Sequence, residues 1–224
     1  MINKYSTKMV VFILIYICIF LLKIPQYIIN SANQKITIQA VCYTMLLIIG
    51  ISLFKKTIQS NFHWIKLHKF KSLLILVAVY LADVLLSSLG YGVVEIFFST
   101  LNITPDNFQN DTNILNTITL INPVIILAIL AFIGPIVEEF FFKGILITKF
   151  STKIPVGLAV LLSSSLFAAT HIHNLYLTDF IQSIPYFLSG LVFGFSYYKT
   201  KNLILISLVH IFMNLISLLP FFLT

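Results

Sequence analysis

Seven apolar runs, most of them near the ~17 to 25 residues a helix needs to cross a bilayer, divide this chain of 224 residues and leave it few folds to adopt. They are Met9 to Leu22, Ile36 to Phe54, Leu73 to Phe98, about Ile118 to Phe142, Ile154 to Thr170, Phe180 to Tyr198 and Leu203 to Leu223. In hydrocarbon each backbone N–H and C=O must be satisfied within the spanning structure, so runs of this length form helices. The expected fold is therefore all-α, a polytopic transmembrane bundle of about seven spans forming a single integral membrane domain over residues 1–224. With charged residues at 9% and a mean hydropathy of +1.02, an ordinary soluble domain is excluded. The first run has the length of a signal-peptide core, but it leads into Lys23-Ile24-Pro25 with no small-residue cleavage pattern, so it reads as a span.

The net charge of +7 comes from 14 lysines and no arginine. These lysines punctuate the apolar runs and form no stripe, which argues against a nucleic-acid partner. They report topology instead. Lys55, Lys56, Lys66, Lys69 and Lys71, then Lys143, Lys149 and Lys153, then Lys199 and Lys201 occupy alternate linkers, separated by the lysine-free stretches Ser99 to Thr117 and His171 to Asp179. A cytoplasmic N-terminus follows from the positive-inside rule, with only Lys23 and Lys35 on the wrong side. The stretch 60–72 interleaves Phe62, Trp64 and Phe70 with basic residues, as a cytoplasmic interfacial helix would. Asn107 to Asn116 reads as a polar outer loop, and Cys18 and Cys42 as small apolar residues. The arginine-free, Ile/Asn/Lys-rich composition points to an AT-rich bacterium and so to a bacterial cytoplasmic membrane.

Function is sought where ionisable groups interrupt the spans, because a charge in the bilayer costs several kcal/mol unless paired or solvated. Glu138-Glu139 with Lys143 is the most costly such group; His171 and His173 end one run, His210 and Asn214 share another, and Asp83 and Glu95 lie in a third. At 3.6 residues per turn Glu138 and Glu139 diverge by about 100°, so one carboxylate faces a cavity and the other a structural partner. Lys143 stands at i+4 from Glu139, the favourable order for an ion pair, which leaves Glu138 free. Phe167 and His171, and likewise His210 and Asn214, are spaced i, i+4 and share a helix face. His173 reads as a loop residue, and Asp83 and Glu95 either line the cavity or pair with a neighbouring helix.

Glu138-Glu139-Phe-Phe-Phe-Lys143, Phe167-Ala-Ala-Thr-His171 and His210-Ile-Phe-Met-Asn214 resemble the three signature motifs of the CPBP intramembrane proteases, E-E-x-x-x-R, F-x-x-x-H and H-x-x-x-N/D. That family includes the CAAX prenyl endopeptidases and the bacterial Abi proteins. The resemblance covers a protease-like core of about 118–218, and it departs from the family at Lys143, where arginine is usual. It implies hydrolysis of a peptide bond in a membrane-embedded or lipidated peptide substrate, with Glu138 as general base and His171 helping to hold the water. His210 and Asn214 would supply the oxyanion donors, and Glu139, Lys143 and Phe167 would support them. Carboxylates with histidines also make a zinc donor set, but no H-E-x-x-H pair shares a helix, so a metal-free water is expected and no cofactor. Two other functions fit the same scaffold: a non-proteolytic bacteriocin-immunity or binding protein, and a small proton-coupled transporter, although no repeat symmetry between halves supports the latter.

Residue counts at 1.5 Å per residue raise a difficulty. They place Glu138 about 22 Å and His171 about 27 Å from Lys153, but His210 only about 13 Å from Lys201, so a break near Gly134-Pro135, helix tilt or an earlier start of the last helix is required.

Overall fold

The computed structural model describes residues 7–103, 108–120 and 122–223, and within them the chain is helical throughout, with no strand. The elements are α1 (Thr7–Leu21), α2 (Ile24–Ile28), α3 (Ala32–Leu67), α4 (Lys69–Thr100), α5 (Gln109–Leu120) and α6 (Pro123–Phe150). They continue with α7 (Val156–Thr170), α8 (Leu177–Gln182), α9 (Ile184–Thr200), α10 (Leu203–Leu218) and α11 (Pro220–Leu223). Three helices, α3, α4 and α6, are long and apolar enough to cross a membrane; α1, α7 and α10 are shorter and apolar.

Helix α4 shows how burial is arranged. Val79, Asp83, Gly90 and Val94 face inward, while Leu81, Leu85 and Leu89 on the opposite side are 58%, 60% and 59% exposed. Leucines outward and a carboxylate inward invert the pattern of a water-soluble helix and match one bathed in lipid.

Two expectations change. The stretch 60–72 is not a separate interfacial helix: Ser60 to Leu67 extends α3 without interruption, the break falls at His68, and Lys69 already belongs to α4. The outer loop expected from Asn107 to Asn116 is helical from Gln109 onward, and Asn107 lies outside the described residues. Asp111 in the first turn favours that helix, and Ile114 and Ile118 at i, i+4 give it a packing edge. Helix α6 accordingly starts at Pro123 rather than near Ile118. Asn122 caps it by accepting the Val124 N–H at 2.9 Å, and proline sits where a helix has no need of its N–H.

The contacts sort the linkers by end. At one end Lys8 Nζ donates to Ser52 (2.8 Å), and the Thr148 and Tyr197 hydroxyls meet at 2.9 Å. There, too, Asn61 of α3 donates to the Lys201 carbonyl (3.4 Å) and accepts the Leu203 N–H (2.8 Å). At the other end Lys23 Nζ donates to the Ile172 carbonyl, and the Gln109 N–H to Gln182 (3.0 Å). The lysine-rich linkers thus gather together, away from the lysine-free ones.

The counted depths do not keep the groups apart: His210 Nε2 and Glu138 Oε2 come within 3.7 Å. At the turn before α10 Lys201 adopts φ 52° and stays exposed, whereas Asn202, only 3% exposed, caps α10 by accepting the Leu205 N–H (3.1 Å).

Core packing joins early and late helices. Tyr16 of α1 stacks on Phe141 (4.0 Å between ring centres), and Phe54 of α3 on Phe140 (5.0 Å). Gly50 lies so close to Phe140 that a Cβ would come within 2.3 Å of its ring. Gly190 and Gly194 let α9 approach α7, their missing Cβ atoms falling 3.0 Å from Ser164 and 2.9 Å from Val160.

Candidate active site

Helix α6 carries the two glutamates, and its winding prepares the site. Over Ala128–Ile133 and Phe140–Ile147 it opens to i→i+5 hydrogen bonding, and the Gly134 N–H donates to Ile129 O rather than to Leu130 O. In that frame the donor for Leu130 would be Pro135, which has none. Asn214 of α10 fills the gap, donating from Nδ2 to the Leu130 carbonyl at 2.9 Å. The unsatisfied carbonyl created by Gly134-Pro135 therefore ties the third motif to the helix of the first.

The glutamates divide as their 100° offset predicts. Glu139 is fully buried, and its Oε1 accepts from Lys143 Nζ at 2.9 Å and from His210 Nδ1 at 2.9 Å. Its Oε2 has no hydrogen-bond partner among the described residues. Lys143 is 1% exposed and enclosed by the rings of Phe142, Phe167 and Phe193, 5.8, 5.0 and 5.4 Å from their centres. It does not reach for the membrane surface; its charge is held by one carboxylate and three aromatic faces.

Glu138 turns into a cavity of about 740 Å³ whose wall also includes Tyr43, His171, Tyr186, His210 and Asn214. The Tyr43 hydroxyl donates to Glu138 Oε1 at 3.2 Å, and His210 Nε2 lies 3.7 Å from Glu138 Oε2. An ionised carboxylate only accepts, so His210 Nδ1–H donates to Glu139 and Nε2 faces the cavity. The His171 ring is fixed on both sides, parallel to Tyr186 at 3.9 Å and edge-on to Phe167 at 5.0 Å. Its Nδ1 lies 3.1 Å from the Phe167 carbonyl, which can only accept, so the neutral ring carries its lone pair on Nε2.

All four expected catalytic residues, Glu138, His171, His210 and Asn214, line this one cavity, while Glu139, Lys143 and Phe167 sit behind them. Among the described residues no three His, Cys, Asp or Glu side chains converge as a metal-binding group.

Sequence reasoning missed several neighbours, Tyr186 among them. Tyr43 gave no signal, being one aromatic in an apolar run. His173, expected as a loop or interface residue, lines the cavity, with its Nδ1 3.5 Å from Lys23 Nζ. Burial lowers Lys23 to about 8, against the opposing pull of Asp179, and burial with the Lys23 charge lowers His173 to about 4. Lys35 lines the cavity as well. Of the two carboxylates of α4, Glu95 is exposed, whereas Asp83 is 2% exposed, hydrogen-bonds Ser189 and lies within electrostatic reach of His210, Lys143 and Glu139.

Residues 120–216 match the family model described as type II CAAX prenyl endopeptidase, Rce1-like. No curated protein and no solved structure matches the chain. The matched stretch begins just before α6, ends within α10 and encloses all three motifs, so it is over this segment that the chain is similar to the type II CAAX prenyl endopeptidases.

Proposed function

We propose that the protein is an intramembrane endopeptidase that hydrolyses a peptide bond in a membrane-embedded or lipidated peptide, using a water activated by Glu138. The observation that carries this is the division between the glutamates: Glu139 is held by Lys143 and His210, and Glu138 shares a cavity with His171. Water held between Glu138 and the His171 Nε2 lone pair loses a proton to Glu138. Its oxygen bonds to the scissile carbonyl carbon, and the carbonyl electron pair moves to oxygen. The oxyanion forms beside His210 Nε2, and Asn214 offers it its second amide N–H, the first being given to Leu130. Glu138 then passes its proton to the amide nitrogen as the C–N bond breaks, leaving a new carboxyl end and a new amine end. Glu139, bonded to His210 Nδ1, fixes the direction of that ring.

In this proposal seven helices, α1, α3, α4, α6, α7, α9 and α10, cross a bacterial cytoplasmic membrane, with the lysine-rich end and the N-terminus in the cytoplasm. No cofactor takes part. Glu138→Gln removes the base without stranding a charge, so hydrolysis should fall by a factor of roughly a hundred or more. The check is mass spectrometry of membrane peptides from cells making the wild-type or variant protein at matched levels: fragments present with wild type should vanish with the variant. Undiminished fragments would overturn the mechanism. Cleavage by purified protein should also survive exhaustive chelation; a loss reversed by stoichiometric zinc would replace the metal-free water with a metal-bound one.

A further inference from the structure

Five lysines gather where α3 meets α4: Lys55, Lys56, Lys66, Lys69 and Lys71. All are exposed, and none makes an ion pair with a described residue. No acidic residue precedes Asp83, which is 2% exposed, so any fixed counter-charge comes from outside this stretch of chain. Beside the lysines Phe62, Leu67 and Phe70 are 52%, 67% and 73% exposed. Such side chains are costly in water and gain from lipid, so the surface fits a partner that offers negative charge and hydrocarbon together.

The course of the two helices puts this surface at the depth of lipid headgroups. With 36 residues α3 runs about 54 Å, far more than the ~30 Å of hydrocarbon in a bilayer. A helix that long could carry its end well out into water. α4 prevents this, because its apolar run resumes at Leu73, about 8 Å of helix after the break at His68. The corner therefore stays within about 8 Å of the hydrocarbon, roughly the thickness of a headgroup layer, and α3 reaches it obliquely. Asn61 fixes which side faces out. It bonds the Lys201 carbonyl and the Leu203 N–H, so Lys56 and Lys66, at i−5 and i+5 and about 140° around the helix, point away from the protein. At the break the Trp64 ring lies parallel to His68 at 4.7 Å, with Lys71 Nζ 5.8 Å from its centre, an aromatic anchor with a cation on it.

We infer that the outward face of the α3–α4 corner binds the headgroups of anionic phospholipids, drawing them from the bilayer in preference to zwitterionic ones. This requires only that α3 and α4 cross a bilayer, and it stands or falls independently of the endopeptidase reading of Glu138. With the corner this close to hydrocarbon, lipid phosphates are the anions within reach of the lysines, and acyl chains cover the exposed rings. Each lysine near an anionic surface favours it about fivefold, an attraction that salt screens.

Trp64 is the only tryptophan in the chain, so its fluorescence reports this corner without a label. Full-length protein is placed in phosphatidylcholine vesicles with equal mole fractions of lipid brominated near the headgroup end of its acyl chains, either phosphatidylglycerol or phosphatidylcholine. At low salt the brominated phosphatidylglycerol should quench Trp64 as if enriched about fivefold around it, and the advantage should fade in molar salt. Replacing Lys66→Gln, Lys69→Gln and Lys71→Gln together should remove most of that preference. The same three changed to arginine should keep it, and Lys153→Gln with Lys199→Gln, on other linkers, should leave it unchanged. Equal quenching by the two lipids, a preference untouched by the triple glutamine change, one lost in the arginine variant, or one that survives molar salt overturns the inference. A preference lost equally in the Lys153 and Lys199 variant would assign it to the charge of the whole end and not to the corner. Quenching by aqueous acrylamide and by neither brominated lipid would put the corner in water, and the lipid surface would fall with it.

Discussion

The helices before residue 104 and those after residue 119 meet on one cavity and bring opposite kinds of residue to it. The later half supplies Glu138, His171, His210 and Asn214, each fixed by a partner at hydrogen-bond or stacking distance, and it is the half that matches a protease family. The earlier half supplies Lys23, Lys35, Gln39 and Tyr43, with no motif and no family match. Reaction chemistry demands a few groups in one geometry, which spacing along helices encodes. A substrate-facing wall demands only complementarity to a particular peptide, and many sequences meet that. On the proposed mechanism the chemistry belongs to the later half, and the earlier half contributes wall.

Breaking the later half from within should give the largest effect on the fold. Lys143→Ala would leave Glu139 buried without its ammonium and hollow out a box of three rings, a loss of about 3–5 kcal/mol for a buried pair deprived of one member. Chemical unfolding in detergent should show it. In Lys143→Ala with Glu139→Gln part of the stability should return, because the stranded charge is gone; strictly additive losses would mean that the 2.9 Å contact contributes nothing.

Next comes the seam between the halves. Gly50→Ala pushes a methyl group into Phe140, 3% exposed and stacked on Phe54, and should cost about 1–3 kcal/mol. Gly92→Ala on α4 meets nothing within 4 Å, so it should be neutral or slightly stabilising. Equal melting temperatures for the two variants would show that α3 does not press against α6 as described.

A smaller effect asks whether the earlier half enters the chemistry at all. Tyr43→Phe removes the hydroxyl that donates to Glu138 and keeps the ring that packs on Phe20 at 4.0 Å. The loss of one hydrogen bond, about 0.5–1.5 kcal/mol, should lower kcat/KM roughly two- to tenfold with the fold intact. An unchanged rate would confine the earlier half to the wall.

What the sequence made legible follows the same line. The Glu139–Lys143 pair, the Phe167–His171 contact and the free direction of Glu138 were readable because a helix fixes i, i+4 neighbours and the 100° step. His210 was expected to serve the oxyanion, yet its bond to Glu139 across 71 residues had no local signature. The tie from Asn214 to Leu130 depends on a change of helical winding before Pro135, which hydropathy does not register. Residue counting from Lys153 and Lys201 set Glu138 and His210 at different depths, yet the two side chains come within 3.7 Å, because counting along straight helices carries no information on how they pack. The helix after Gln109 was hidden by its asparagines and threonines, which favour turns unless tertiary contacts override them.

The smallest effect concerns Lys23 and is read in the pH dependence of stability. Its ammonium loses its proton near pH 8 in the fold instead of near 10.5, because burial outweighs the attraction of Asp179. Around it, His173 at about 4 is neutral throughout that window, Asp179 accepts the Asn174 N–H, and Lys35 and Asp111 line the same cavity. A lysine whose folded value is depressed is protonated more readily in the unfolded chain between about 8 and 10.5, so stability should rise with pH across that interval. Lys23→Gln should flatten that rise. A melting temperature that does not climb between about pH 8 and 10.5 in the wild type, followed by circular dichroism in detergent, would show that the Lys23 ammonium is not buried against Ile172 as described.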